Sequence, residues 1–490
     1  MLSYRIGVSF TTTKLVVSYF DNSKPQTSEK IRINERLSPQ QLFQISSSFT
    51  HKPEEPINLD ALAGLFSKEM LLSVSNCFNS SPHKDKLVSI VLSIPETWYV
   101  KIDGAVKLKL EQLLAYQLGI EEKLFKLIRE PTAAAAYWIW MMMQQKLKWN
   151  GNLLICDLED HKFNVSLCQI DRENKVKILY SDWQPQAGLP FDSQCIKIAY
   201  AQKHGLPLTE DNPEFLSLLG VFKQEKVNSH QRSTERLMTY LKTPAAMANY
   251  NLYCFGGGYA VKCQQINDAF LPIQQVIQKT IQRLNTWMQS HQQYFDFLFF
   301  IGGDCRFILA KNAILQALEI QDHDARFDSV SNDDRCDLAI AYGACLIANC
   351  LIDPVEKFPY TLGIIAERLN VYAERERKLI PLVQENTNLD SLLVPYFADI
   401  PLLTVFQGNS PIITLQLNSG NQKPFLIIDV KLDNIQFDLV SANQLWQVGI
   451  RMNPLYNLYL LIQNFQTKNI VEYPIGTLPD LVGQLKNMSI

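Results

Sequence analysis

The chain has 490 residues, too many for one ordinary core, so two or three domains are expected. Its 47% apolar and 19% charged residues are the composition of a folded globular protein and exclude a disordered one. A formal net charge of −3 without any run of lysines or arginines gives no electrostatic case for nucleic acid. The longest apolar run, residues 133–143, is too short to cross a bilayer, so no membrane partner is expected. Met1 to Gly7 lacks the basic, apolar and small-residue order of a secretory signal, which makes the expected location cytoplasmic. Ten cysteines at wide spacings, with no Cys-x-x-Cys pair, read as buried thiols rather than metal ligands.

In chain order, residues 4–10 and 14–20 are two apolar runs joined by Thr11, Thr12 and Thr13, the pattern of a β-hairpin. Residues 21–56 carry Pro25, Pro39, Pro53 and Pro56 and read as loops with one short helix, while Leu62, Leu65, Phe66, Met70 and Leu71 have helical spacing. Leu87 to Pro95 is a β-branched run closed by proline, and a charged amphipathic segment follows over residues 101–118. Arg129-Glu130-Pro131-Thr132 leads into four alanines, a loop turning abruptly into a helix, with Glu130 an acid held just upstream of the helix start. Gly151 to Leu158 is a second buried-strand run that ends in Asp157 and faces residues 163–170 across a polar turn. Strand, helix, acid-bearing loop, helix and strand make an α/β arrangement.

At these residues the chain resembles the 70-kDa heat-shock chaperone family of the DnaK type, whose nucleotide-binding domain carries a strand ending in proline, an Asn-Glu-Pro-Thr-Ala-Ala-Ala loop and a strand entering Asp-Leu-Gly-Gly-Gly-Thr. The resemblance implies an α/β actin-like ATPase fold of two lobes followed by a β-sandwich-like domain. It implies ATP or ADP with Mg²⁺ as cofactor, and Asp157 and Glu130 as catalytic residues that also hold the metal through water. It implies Thr12, Thr13, Glu235, Gly302, Gly303 and Arg306 as nucleotide-binding residues.

The departures from the family pattern fall on the phosphate loops. Ser9 stands at the position of an acid and Thr11 at that of a glycine, so the first loop loses a carboxylate for a hydrated metal and a residue that tolerates positive backbone angles. In the second loop Glu159, Asp160 and His161 replace three glycines and put negative charge where phosphates would lie, with Lys162 offsetting part of it. No lysine between residues 20 and 87 has the context of the family's catalytic lysine, Lys52 and Lys68 reading as surface charges. On the helix that would grip the adenosine, Glu235 persists while Met238, Thr239 and Lys242 differ. Gly188 to Asp192 opens a further helix, and Gly256-Gly257-Gly258 reads as a hairpin turn. Ile301-Gly302-Gly303-Asp304-Cys305-Arg306 resembles the family's Val-Gly-Gly-Ser-Thr-Arg element, and Ala341-Tyr342-Gly343-Ala344 its closing helix, where small residues permit close packing.

Asp353 to Pro359, with two prolines and three charges, marks a boundary, after which residues 362–365, 380–383, 403–406, 412–417, 425–432 and 435–440 alternate as strands do. The expected organisation is an actin-like nucleotide-binding domain over 1–352, a linker over 353–358, and a β-rich peptide-binding-like domain over 359–490 that lacks the family's helical lid. The function implied is a chaperone homologue that binds unfolded or extended polypeptide, or one dedicated protein partner. It is compatible with nucleotide binding, while hydrolysis is impaired. An active ATP-dependent chaperone and a non-catalytic scaffold on the same fold are the alternatives.

Overall fold

A computed structural model describes residues 4–10, 14–20, 32–37, 63–64, 67–68, 87–94, 104–121, 124–159, 162–185, 188–304, 307–321, 338–355, 358, 360–369, 375–385, 387–393, 395–397, 403–404, 412–418, 424–432, 445–453 and 457–478. The chain divides into two compact units, residues 1–101 with 111–354, and residues 102–110 with 355–490.

The first unit is built on two sheets with one strand order. In the first, β1 (Tyr4–Phe10), β2 (Lys14–Tyr19) and β3 (Arg32–Leu37) form an antiparallel meander, and β4 (Leu87–Ile94) lies parallel beside β1. Helix α1 (Gly104–Leu118) then leads to β5 (Phe125–Arg129), parallel to β4, which gives the order β3-β2-β1-β4-β5. The chain passes directly from β5 into helix α2 (Glu130–Gln144) and repeats the scheme. β6 (Gly151–Glu159), β7 (Lys162–Ile170) and β8 (Val176–Pro185) form a second meander. Six helices follow or flank the return: α3 (Gly188–His204), α4 (Pro213–Asn228), α5 (His230–Lys242), the single turn α6 (Pro244–Met247), α7 (Cys263–Ser290) and, after the return strand, α8 (Ile308–Ala317). A small hairpin of β9 (Asn251–Phe255) and β10 (Tyr259–Lys262), turning on Gly256–Gly258, lies among them. β11 (Phe297–Ile301) returns parallel to β6, so the second sheet reads β8-β7-β6-β11. Helix α9 (Ala339–Ala348) closes the unit.

Small residues set how these layers meet. All four alanines of α2 are buried, and a Cβ at Gly343 of α9 would collide with the carbonyl of Ala133. A Cβ at Gly7 of β1 would likewise collide with the α9 backbone at Ala344 and Cys345. α9 is therefore seated between β1 and α2 at a separation only glycine allows, and Ser18 Oγ fastens it by donating to Ala341 O at 2.6 Å. β6 is buried on both faces: Leu153 and Ile155 join the α2–α9 core, while Leu154, Cys156 and Leu158 join a second core with α3 and α7. Asp157 falls on the α2 face by the two-residue alternation of a strand.

The second unit is a pair of sheets over one core. β12 (Thr361–Leu369), β13 (Arg375–Val383), β16 (Ile412–Asn418) and β17 (Pro424–Lys431) run in the order β13-β12-β16-β17. β14 (Tyr396–Phe397) and β15 (Leu403–Thr404) pair with β18 (Leu445–Met452), which continues into β19 (Asn457–Asn464) and β20 (Ile470–Thr477). Leu362, Leu415 and Leu417 of one sheet and Val448, Ile450 and Leu460 of the other belong to the same buried cluster. The stretch from Trp446 onward, which the sequence shows only as apolar runs, thus supplies half of this unit. The strand expected at 435–440 lies outside the described residues.

At the end of the first unit, Val176 N donates to Pro354 O at 2.7 Å and Lys175 pairs with Asp353 at 2.9 Å, so residues 353 and 354 are fastened to the start of β8. Phe358, fully buried, donates its N–H to Thr387 O in the second unit at 2.7 Å. Residues 353 and 354 of the segment expected as a linker over 353–358 thus belong to the first unit, and Phe358 to the second.

Candidate functional site

The carboxyl ends of β6 and β11 and the start of α2 bring charge together in the first unit. Glu130 is the first residue of α2, not a loop residue upstream of it. β5 delivers Arg129 in extended conformation as the N-cap, and Pro131 occupies the first turn. A carboxylate there complements the positive end of the helix. Across a two-residue connection, β6 and β7 pair Glu159 with Lys162 and Asp157 with Asn164, which puts these four side chains on one face of the hairpin.

Lys162 is the centre of the cluster. Its Nζ lies 2.5 Å from Glu130 Oε2, 3.3 Å from Asp157 Oδ2 and 3.7 Å from Glu159 Oε2. Glu130 is 1% and Asp157 2% exposed, while the lysine side chain is 12% exposed. Burial alone would lower the lysine's proton affinity; the attraction of Glu130, then Glu159 and Asp157, with the Glu130 hydrogen bond, outweighs it and holds the ammonium well above the ordinary lysine range. Each close contact is worth ~5 kcal/mol of gross attraction at an effective dielectric of ~20, set against the cost of desolvating the ions. Three carboxylates thus lie within ion-pair distance of one ammonium.

Asp157 is bound less completely than its partners. Its contact with Lys162 is an ion pair without hydrogen-bond geometry, and neither of its oxygens accepts a hydrogen bond from the described residues. Its neighbour is the turn after β11. Gly302 has φ +83°, and a Cβ there would collide with Leu158 O and stand 2.7 Å from Asp157 Oδ1. Only glycine serves at 302, on backbone angle and on space. Asp304 N donates to Leu158 O at 3.2 Å and locks the turn onto β6.

A second lysine holds the other side of that turn. Lys226, in the last turn of α4, reaches Asp192 Oδ1 of α3 at 2.7 Å and Asp304 Oδ1 at 3.3 Å, with its ammonium 5.4 Å from the centre of the Phe191 ring. Asp192 is fully buried. Burial opposes the charge of Lys226, but Asp192 and then Asp304 hold it well above the ordinary range.

Of the residues expected to form a site, Asp157, Glu130 and Gly302 come together here. Gly303 is exposed in the turn, and Glu235 is exposed on α5, whose Ser233, Leu237 and Tyr240 face inward. Thr12, Thr13 and Arg306 lie outside the described residues. Lys226, Asp192 and Asp304 carry no motif that marks them as a cluster. The role of Lys162 has a sequence signal, since a two-residue hairpin connection fixes which side chains face each other.

Metal and thiol chemistry find little support. Among the described residues no group of three or more His, Cys, Asp or Glu is arranged to hold a metal ion. The magnesium implied by the resemblance does not fit Glu130 and Asp157 as they stand, because the ammonium lies between them. A divalent ion ~4 Å from that charge would meet a repulsion on the order of 8 kcal/mol at a dielectric of ~20. Burial pushes the thiols of Cys156 and Cys195 far up, and that of Cys345 up to about 12, so all three stay protonated and inert. Cys254 and Cys350 are exposed, contrary to the expectation of buried thiols throughout, and none of the described cysteines forms a disulfide. Among the described residues no helix is long and apolar enough to cross a membrane. No protein-family model matches the chain, and a search of curated proteins finds no match either.

Proposed function

We propose that the chain is a divergent relative of the 70-kDa heat-shock chaperones that binds polypeptide and does not hydrolyse ATP. The observation that carries the second half is the ammonium of Lys162 among Glu130, Asp157 and Glu159, since metal-assisted hydrolysis needs that place for a hydrated cation. The repeated strand order of the first unit, with α9 seated against β1 and α2 through Gly7 and Gly343, supports the actin-like reading.

Polypeptide binding is supported by the second unit. β17 is the edge of its sheet among the described residues, and its Ile427 is exposed, as is Ile412 on β16. An edge strand offers main-chain donors and acceptors to an added extended segment. The test is fluorescence anisotropy of labelled extended apolar peptides with the full chain, alongside phosphate release from ATP. Saturable binding that ATP leaves unchanged, with phosphate release at background, is expected. Release that Asp157→Asn abolishes would make the protein an ATPase, and failure to bind any of a panel of apolar peptides would leave the scaffold reading.

A further inference from the structure

We propose that the cavity between α4 and the tip of the β9–β10 hairpin binds an uncharged planar ring that presents a hydrogen-bond donor beside an acceptor, as nucleobases and ring carboxamides do. The cavity has a volume of about 460 Å³, and small-molecule sites usually span about 300–1,000 Å³. Phe255 and Tyr259 of the hairpin supply apolar lining. Val221, Gln224, Glu225 and Asn228 reach it from one face of α4, at the spacing that places residues on the same side of a helix.

The hairpin tip is held in place by the fold itself. Lys203 of α3 donates to Gly257 O at 2.5 Å and lies 4.0 Å from the centre of the Tyr259 ring, and His204 Nε2 is 3.0 Å from Tyr259 Oη. Phe255 stacks on the Tyr259 ring at 5.7 Å. A Cβ at Gly256 would stand 3.2 Å from Val221 Cγ1, so hairpin and helix meet there. At Gly258, where φ is +88°, a Cβ would meet nothing within 4 Å, and the backbone is open for a flat ring to lie against. A preformed site of this kind spares the ligand the cost of ordering it.

The amide pair on α4 defines the chemistry. Gln224 Nε2 donates to Asn228 Oδ1 at 3.0 Å, and the two side chains make no other hydrogen bond with the described residues. An acceptor, Gln224 Oε1, and a donor, Asn228 Nδ2, are therefore left to a ligand. Turning both amides over exchanges the two roles and leaves the same complement. Among the described residues no lysine or arginine lines the cavity, while Glu225, paired with Arg232 at 3.0 Å, brings a carboxylate to it. A phosphate would find no cation there, which favours the uncharged form of the ligand. Neither Lys162 nor Asp157 lines the cavity, and neither ATP nor peptide enters the test, so its outcome is separate from that of the proposed function.

The full-length chain, Gln224→Leu, Asn228→Leu and Val221→Trp are titrated by calorimetry with adenosine and cytidine, which carry the edge on a nucleobase, and with nicotinamide, which carries it as a ring carboxamide. The phosphate esters AMP, CMP and nicotinamide mononucleotide are run in parallel. Alkylation by N-ethylmaleimide, read by peptide mass spectrometry, reports occupancy through the exposed Cys254 at the cavity, with the exposed Cys350 as internal control. Saturable binding of at least one of the three rings is expected, with Cys254 protected and Cys350 not. Gln224→Leu and Asn228→Leu should each weaken it about tenfold, the loss of one hydrogen bond, and Val221→Trp should abolish it by filling the space. The phosphate ester should bind more weakly than the ring that binds. Absence of binding by all three rings would overturn the proposal, as would binding that leaves Cys254 unprotected or that the α4 variants leave unchanged. An ester that binds as tightly as its uncharged parent would overturn it too.

Discussion

Lys162 and Lys226 answer one problem, an ammonium drawn into a protein interior, in two different ways. Lys226 meets two carboxylates and lies near the Phe191 ring, and it joins α3, α4 and the turn after β11. Lys162 meets three carboxylates, one of which takes no hydrogen bond from the described residues. The first cluster is proportioned as a strut. The second gathers three carboxylates at one ammonium, in the place that metal-assisted hydrolysis would give to a hydrated cation, and the proposed loss of hydrolysis rests on it.

The largest expected effect comes from removing each ammonium in turn. Taking one partner from a buried ion pair leaves uncompensated charge and costs about 3–5 kcal/mol. Lys162→Met should fall at the upper end because three carboxylates lose an ion-pair partner, and Lys226→Met, where two do, at the lower end. Urea denaturation monitored by circular dichroism measures both, and equal losses would erase the distinction.

A contact without charge gives the next effect and a reference for the first. Gly343→Ala puts a methyl group into the backbone of α2 at Ala133, and overpacking of this kind costs about 1–3 kcal/mol. Because no ion is involved, its loss in the same denaturation assay should not change with salt or divalent cation.

These contacts differ in how far the sequence announces them. Strands over 87–94 and 151–159 are legible because β-branched and apolar residues run between proline, glycine and polar turns. The α2 start is legible to within two residues from Pro131 and the alanines. Glu130 meeting Lys162 is not, since 32 positions separate them and only the packing of α2 on the second sheet unites them. Lys226 is hidden for another reason: a lysine in the last turn of a helix normally points to water, and here Asp192 and Asp304, distant in sequence, draw it inward. The second sheet of the β unit is hard to read in the sequence because β18 to β20 alternate imperfectly, with Leu460, Leu461 and Ile462 all buried in succession.

Alkaline pH separates the clusters more gently. Both lysines are held above their ordinary range, so the stability they contribute is complete below the unfolded lysine pKa of about 10.4 and is lost as pH rises through the folded values. The unaltered chain should therefore lose stability above about pH 10 more steeply than Lys162→Met or Lys226→Met. Melting temperatures across that range provide the check, and parallel curves would mean that neither ammonium is coupled to folding.

The smallest effect belongs to a lysine pair left in solvent. Lys175 and Asp353 are 22% and 48% exposed, and such a pair is worth about 0–1 kcal/mol. Lys175→Ala should barely change stability, although it loosens residues 353 and 354 from β8. Limited proteolysis should then extend from residues 355–357 toward Asp353, and an unchanged cleavage pattern would show that the Val176–Pro354 hydrogen bond holds the segment alone.

Calorimetric titration of the full chain with ATP, in the presence and absence of magnesium, tests most directly whether Lys162 has replaced the metal. The expected result is the same isotherm in both conditions. Tighter or newly visible ATP binding on adding magnesium, lost in Asp157→Asn, would place a divalent cation among these carboxylates and contradict the account.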